Sequence, residues 1–274
     1  MISLDADTIR EAMPSAARDN VAQLKIFGEI DSTNDYLMQV PGPEPGKICI
    51  AVTNNQTAGR GRHGKTWQAP PGSGVCLSAS YTFAPQPENL PALTLALGLG
   101  VVAALQELGA EGIEVKWPND LVILNGKLGG ILTEVQAQNA GTVTVVTGVG
   151  INVDVGEDFN VEIESDWADR VADLKSICQR LPSHDEVAAK LTTHMLQAFV
   201  DFEANGLATI VEQWSQYDWL LDRTLIVDSG QEIISGTGAG IDSDGALLIN
   251  TLESGMRRVI SGSVVKAAER VSSK

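Results

Sequence analysis

The 274-residue sequence predicts an α+β fold: a mixed sheet with helices, followed by a small β-barrel. Three observations carry this. Strand-like runs meet at hairpin signals, Asn125-Gly126 and Asn139-Ala140-Gly141, instead of alternating strictly with helices. Two long helical stretches, residues 90–108 and 183–205, supply apolar cover for a sheet. After Asp222 the texture changes to short strands punctuated by Ser229-Gly230, Asp244-Gly245 and Ser254-Gly255. Two domains are expected, residues 1–221 (with 1–23 a helical lead-in) and 222–274, the second a separately cored module.

Residues 24–30 read as a short strand. Asp31-Ser32-Thr33-Asn34 then opens a helix to about Val40, with Ser32 as N-cap and Asp35 three residues on. The Pro/Gly cluster at 41–46 is a turn, and 48–53 a strand. Residues 54–74 hold five glycines and three positive charges, Arg60, Arg62 and Lys65. Residues 75–83 alternate like a strand. The apolar helix at 90–108 is interrupted by Gly98 and Gly100, which argues against a membrane span. Strands follow at 113–117 and 121–124, then a hairpin pairing 131–138 with 142–149, and helices at 171–180, 183–205 and 209–220.

Nineteen Lys+Arg against 35 Asp+Glu give a net charge of −16, which opposes broad nucleic-acid binding. Cys49, Cys76 and Cys178 form no CxxC pair and read as reduced thiols. The three histidines, His63, His184 and His194, are too scattered for a zinc motif. No secretory signal is visible, so a cytoplasmic protein is expected.

Three stretches carry candidate chemistry. Gln56-Thr57-Ala58-Gly59-Arg60-Gly61-Arg62 with Trp67 combines backbone N–H groups, two guanidinium forks and a flat aromatic face. It reads either as an anion-binding loop or as a basic surface loop; it is neither a Walker A nor a GxGxxG motif. Lys116-Trp117-Pro118-Asn119-Asp120 leads into Asn125-Gly126-Lys127-Leu128-Gly129-Gly130. A two-residue turn at Asn125-Gly126 pairs Leu124 with Lys127 and puts Asp120 and Lys127 on one face of the hairpin. That face suits a phosphoryl group near Lys127 and Mg²⁺ near Asp120; the plainer reading is a solvated lysine beside a turn. Gly148-Val149-Gly150-Ile151-Asn152 ends an apolar strand with a close-packing site or a bulge.

Taken together, these stretches and their order resemble the biotin protein ligase family. The resemblance runs from about Ile26 to the C-terminus and rests on Asp31-Ser32-Thr33-Asn34, the Gln56–Arg62 loop with Trp67, Lys116–Asp120, Lys127–Leu132 and Gly148–Asn152. It implies a catalytic domain related to class II aminoacyl-tRNA synthetases and an SH3-like C-terminal domain. It implies that Ser32, Thr33, Asn34 and Gln56 contact biotin, and that Arg60, Gly61 and Arg62 close over biotin and its adenylate. Trp67, Asn119, Asn152 and Arg60 are implied at the nucleotide. Lys127 is implied at the biotin carboxylate and α-phosphate, and Asp120 in catalysis or, with the phosphates, at Mg²⁺. The implied reaction joins biotin and ATP into biotinyl-5′-AMP. Biotin then passes to a lysine of a biotin carboxyl carrier protein domain, for example that of acetyl-CoA carboxylase.

The chain departs from the family in places. His63 stands where a third loop arginine is frequent, and Lys266 and Arg270 are the nearest candidates for a C-terminal arginine. Regulatory members carry an N-terminal DNA-binding domain. About 30 residues before Asp31 are too few for one, so no DNA partner is expected, and the enzyme would work as monomer or homodimer. A lipoate–protein ligase and a biotin-dependent DNA-binding regulator are the alternative readings.

Overall fold

The computed structural model describes residues 3–139, 141–156 and 170–270. Helices α1 (Ala6–Ala12) and α2 (Ser15–Arg18) precede strand β1 (Val21–Ile26). There follow α3 (Thr33–Gln39), β2 (Ile48–Thr53), β3 (Gly74–Phe83), α4 (Leu93–Gln106), β4 (Glu114–Lys116) and β5 (Asp120–Ile123). The first unit continues with β6 (Gly126–Asn139), β7 (Thr142–Asn152), β8 (Arg170–Val171), α5 (His184–Asn205) and α6 (Ala208–Trp214). Its sheet runs β1-β2-β3-β7-β6-β5-β4, with β8 also paired to β6. The β1/β2 and β6/β8 pairs are parallel and the rest antiparallel, so the sheet is mixed.

Period-2 alternation decides what each face of this sheet holds. On β2, Ile48, Ile50 and Val52 join the large core, while Cys49 and Ala51 face the opposite way and pack with Leu37 of α3. On β3, Val75, Leu77, Ala79, Tyr81 and Phe83 face the core. Cys76, Ser78, Ser80 and Thr82 alternate with them and therefore share the other face. The core side is covered by α4 and α5. Tyr81 stacks on Phe199 with ring centroids 4.9 Å apart, and its hydroxyl donates to Glu203 Oε2 at 2.7 Å. A capping box starts α5, with Ser183 Oγ accepting from Glu186 N and Glu186 Oε2 from Ser183 N.

The C-terminal unit is a five-stranded antiparallel sheet in the order β12-β11-β10-β9-β13. Its strands are β9 (Arg223–Asp228), β10 (Ile233–Ile241), β11 (Leu247–Thr251), β12 (Gly255–Val259) and β13 (Ser263–Arg270). Its interior residues Leu225, Val227, Leu247 and Ile249 belong to the same buried cluster as Leu93, Leu207 and Trp219. The apolar core therefore runs through both sheets without a break, where the sequence suggested separate cores.

Several elements differ from the sequence reading. The lead-in becomes strand at Val21, three residues before the expected start. No α-helix forms over 171–180. There the backbone is recruited by strands: Ala172 N donates to Lys127 O at 2.9 Å and Lys175 N to Val153 O at 3.0 Å, leaving an Asp173-capped 3₁₀ turn. The last helix of the large unit stops at Trp214, because residues 217–219 run beside β4 and exchange backbone hydrogen bonds with Val115. In the first hairpin the turn residues are Leu124 and Asn125, with φ of +48° and +60°, and Ile123 pairs with Gly126. This is the double positive-φ turn that suits strand twist. Ala140, in the second hairpin signal, lies outside the described residues.

Candidate active site

The face of the sheet turned away from the large core forms the floor of a cavity of about 970 Å³. Its rows come from alternate residues of four strands. β3 contributes Cys76 and Ser78, β7 Gly148, Gly150 and Asn152, β6 Gly130 and Leu132, and β5 Asp120. The register confirms the row, since Gly130 lies opposite both Asp120 and Gly150, and Gly148 lies opposite both Leu132 and Ser78. The start of α3, the glycine-rich loop and residues 263–265 of the small sheet form the remaining walls. All twelve residues singled out from sequence, from Ser32 to Asn152, border this one cavity.

At one end, α3 begins with Ser32 as N-cap, its Oγ accepting from Asp35 N at 3.3 Å. Gln56 Oε1 accepts from the Thr33 backbone N at 2.8 Å and from Thr33 Oγ1 at 3.1 Å. The Thr33 and Ser78 hydroxyls lie 2.6 Å apart, and Ser78 Oγ donates to Asn34 Oδ1 at 2.6 Å. Asn34 Nδ2 in turn donates to Glu134 Oε2 at 2.9 Å. Five side chains from four segments are thus locked in one chain of polar contacts, with Thr33, Asn34 and Ser78 buried.

The glycine-rich loop folds as a short tongue. Gly61 N donates to Lys65 O at 2.7 Å and Trp67 N to Gly59 O at 3.0 Å. Arg60 pairs with both Asp35, at 2.9 Å, and Glu134. Arg62 is partly buried and donates to Asn119 Oδ1 at 3.3 Å. Burial pushes its guanidinium below the usual range, and the nearby Asp120 carboxylate opposes that shift. His63 is exposed, with φ of +56°.

At the other end Asp120 is buried and paired through both oxygens. Its Oδ1 lies 2.7 Å from Lys127 Nζ and its Oδ2 lies 2.9 Å from Lys116 Nζ. Burial alone would push this carboxyl up; the Lys116 and Lys127 ammonium groups outweigh it and hold Asp120 well below the carboxylate range. Lys127 Nζ also stands 6.0 Å from the centroid of Trp67. Trp67 lies flat against β7, where a Cβ on Gly150 would come within 2.5 Å of its ring. Asn152 Nδ2 donates to Lys127 O at 3.3 Å and Ala172 O at 3.0 Å, so it ties β7 to β6 and to the segment that follows β8.

Sequence reasoning assigned no role to Ser78, Glu134 or Lys116. The signal for Ser78 is the polar/apolar alternation of 75–83, which puts it on the face away from the core. From the small sheet, Ser263, Val264 and Val265 reach the cavity. Lys266 is exposed, and the Arg270 side chain lies outside the described residues.

The chain is similar to known proteins over most of its length. The family model described as the Biotin/lipoate A/B protein ligase family matches residues 27–152, and that of the Biotin protein ligase C terminal domain matches residues 222–266. The Bifunctional ligase/repressor BirA of Salmonella typhimurium is 35% identical over 247 residues, covering 90% of this chain and 73% of that protein. The Biotin–[acetyl-CoA-carboxylase] ligase of Mycobacterium tuberculosis is 28% identical, with 90% of each chain covered. The biotin protein ligase from Aquifex aeolicus, solved in complex with biotin and ATP, superposes with a TM-score of 0.71 at 29% identity, covering 89% of this chain and 97% of that one. No described helix is long and apolar enough to cross a membrane. By these likenesses the chain belongs to the biotin protein ligase family.

Proposed function

We propose that this chain is an ATP-dependent ligase that activates biotin to biotinyl-5′-AMP and transfers it to a lysine of a biotin carboxyl carrier protein domain. The observation that carries the reading is the cavity itself. It has a neutral, hydrogen-bonding end at Thr33, Asn34, Gln56 and Ser78, and a cationic end at Lys116, Lys127 and Arg62. A ureido ring needs donors and acceptors without net charge, which the first end offers. A carboxylate meeting a triphosphate needs positive charge, which the second end offers.

In this reading Lys127 and Arg62 offset charge as the biotin carboxylate attacks the α-phosphorus and pyrophosphate leaves. Adenylation then rests on positioning and charge neutralisation and needs no side-chain nucleophile. Trp67 offers its exposed face to adenine, and the Arg60–Thr66 tongue shields the acyl-adenylate from water. Transfer follows when a neutral lysine amine attacks the acyl carbonyl and AMP departs. Asp120 or a phosphate oxygen would help to take its proton. Among the described residues no three His, Cys, Asp or Glu side chains cluster to hold a metal. Mg²⁺ would thus be held chiefly by the nucleotide's phosphates, with Asp120 as its protein carboxylate, and would supply further charge neutralisation. The unpaired Cys49, Cys76 and Cys178 fit a reducing, cytoplasmic setting.

The test is incubation with ATP, Mg²⁺, biotin and a carrier domain, read by intact mass, with lipoate as a competing acid. One biotinyl adduct per carrier, undiminished by lipoate, is the expected result. An unmodified carrier, or lipoyl transfer alone, overturns the reading.

A further inference from the structure

Asp120 has two lysines where one would neutralise it, and the two are placed very differently. Both border the cavity, but Lys116 is buried, its side chain 5% exposed, whereas Lys127 is 29% exposed. Lys116 ends β4 and sits directly across the tight turn from Asp120. Its strand is fixed on the far side as well, with Val115 N donating to Tyr217 O at 2.6 Å and Trp219 N to Val115 O at 3.1 Å. Lys127 instead follows the exposed Leu124-Asn125 turn. One cation is built into the frame, and the other stands at the edge of the open space.

A buried carboxylate with a single cationic partner holds it tightly, because losing that partner leaves an uncompensated charge in a dry site. With a second, fixed cation the first one is free to leave. We propose that Lys116 is a positioning residue for adenylation: it stays on Asp120 Oδ2 permanently, so that Lys127 can swing from Oδ1 to the incoming carboxylate and phosphate. Lys116 itself never needs to touch substrate. The other charge facing the pair is Arg62, whose guanidinium is directed to Asn119 and leaves both Asp120 oxygens to the lysines. This inference rests on the ligase reading above.

Two measurements on the full chain test it. The first compares the wild-type chain with Lys116→Met. Pyrophosphate release with biotin and ATP should fall about tenfold to a hundredfold, the scale of a displaced reacting group. Affinity for biotinol, which has no carboxylate, should stay unchanged, because that ligand is held from the α3 end. An unchanged rate overturns the proposal, and so does a parallel loss of rate and biotinol affinity, the mark of a merely structural lysine. The second needs no variant and covers a Lys116→Met chain that does not fold. In a crystal structure of the wild-type chain with biotin and a non-hydrolysable ATP analogue, Lys127 Nζ should have left Asp120 while Lys116 Nζ remains on it. Lys127 still on Asp120, or Lys116 displaced, overturns the proposal. A wild-type chain that releases no pyrophosphate would instead overturn the ligase reading.

Discussion

Trp117 donates its indole Nε1–H to the carbonyl oxygen of Gly245 at 3.1 Å, joining the turn between β4 and β5 to the small sheet. Gly245 is seated among Ala92, Leu95 and Leu207 with φ of +82°, and Asn89 Nδ2 holds the preceding carbonyl of Asp244 at 2.6 Å. Arg258 clamps the same turn through Asp242 and Asp244. Trp117→Phe keeps the ring but removes the donor, stranding a carbonyl at a cost of about 1–3 kcal/mol. Gly245→Ala should cost at least as much. Its Cβ would lie 2.9 Å from Leu95 Cδ1. An L-residue there also pays about 1–2 kcal/mol for the left-handed conformation. Denaturant melts check both, and a Trp117→Phe chain as stable as the parent would show the bond is idle.

Lys127→Ala should cut pyrophosphate release by about 10²–10³-fold, the effect of losing one preorganised electrostatic donor. Its melting temperature should drop only modestly, because Lys116 still neutralises Asp120. Near-parental release would make Lys127 a solvated turn lysine after all.

Gly148 and Gly150 should separate the two substrates. A Cβ at 148 would overlap Asn34 Oδ1, and a Cβ at 150 would press on Trp67. Overpacking of this kind costs about 1–3 kcal/mol. Gly148→Ala should therefore raise KM for biotin, and Gly150→Ala KM for ATP. Equal effects of both variants on both substrates would contradict the division of the cavity into two ends.

Arg62→Gly should release intermediate. A charge-assisted contact to the adenylate is worth about 1.5–3 kcal/mol. AMP should then form in excess over biotinylated carrier, with the fold intact. A ratio equal to that of the parent would remove Arg62 from the retention of the adenylate.

Glu186, which caps α5 and pairs with Arg180, has its carboxyl lowered from 4.5 to about 2 by the Arg180 hydrogen bond and the Ser183 backbone N–H. A depressed carboxyl stabilises the fold above its unfolded value and loses that contribution as pH falls through the folded one. The stability gap between the parent and Glu186→Gln should be full above pH 4.5 and vanish near pH 2. Because this group is solvent-accessible, the gap should be on the order of 1 kcal/mol. A gap that does not change with pH would exclude the carboxylate as its source.

Much of the site was legible because strand periodicity tolerates small errors. The expected turn at Asn125-Gly126 is one residue late, which moves Lys127 from opposite Leu124 to opposite Val122, and both lie on the same face of β5 as Asp120. The helix expected over 171–180 was not recoverable in the same way. Its apolar spacing suits a helix, and only tertiary partners, Lys127 O and Val153 O, claim its N–H groups. Lys116 was present in a recognised stretch, but its burial against Asp120 depends on β4 being enclosed by residues 217–219, which no local pattern announces.

Along Gly130, Gly148 and Gly150 the pocket is already as wide as this backbone permits. Every substitution in that row subtracts space, and none adds it. Acceptance of a smaller acid is therefore one codon away, whereas acceptance of a bulkier one must come from trimming side chains elsewhere in the lining, such as Leu132, or from moving α3. Selection for altered substrate size would meet an asymmetric landscape, open toward narrowing and closed toward widening along the floor.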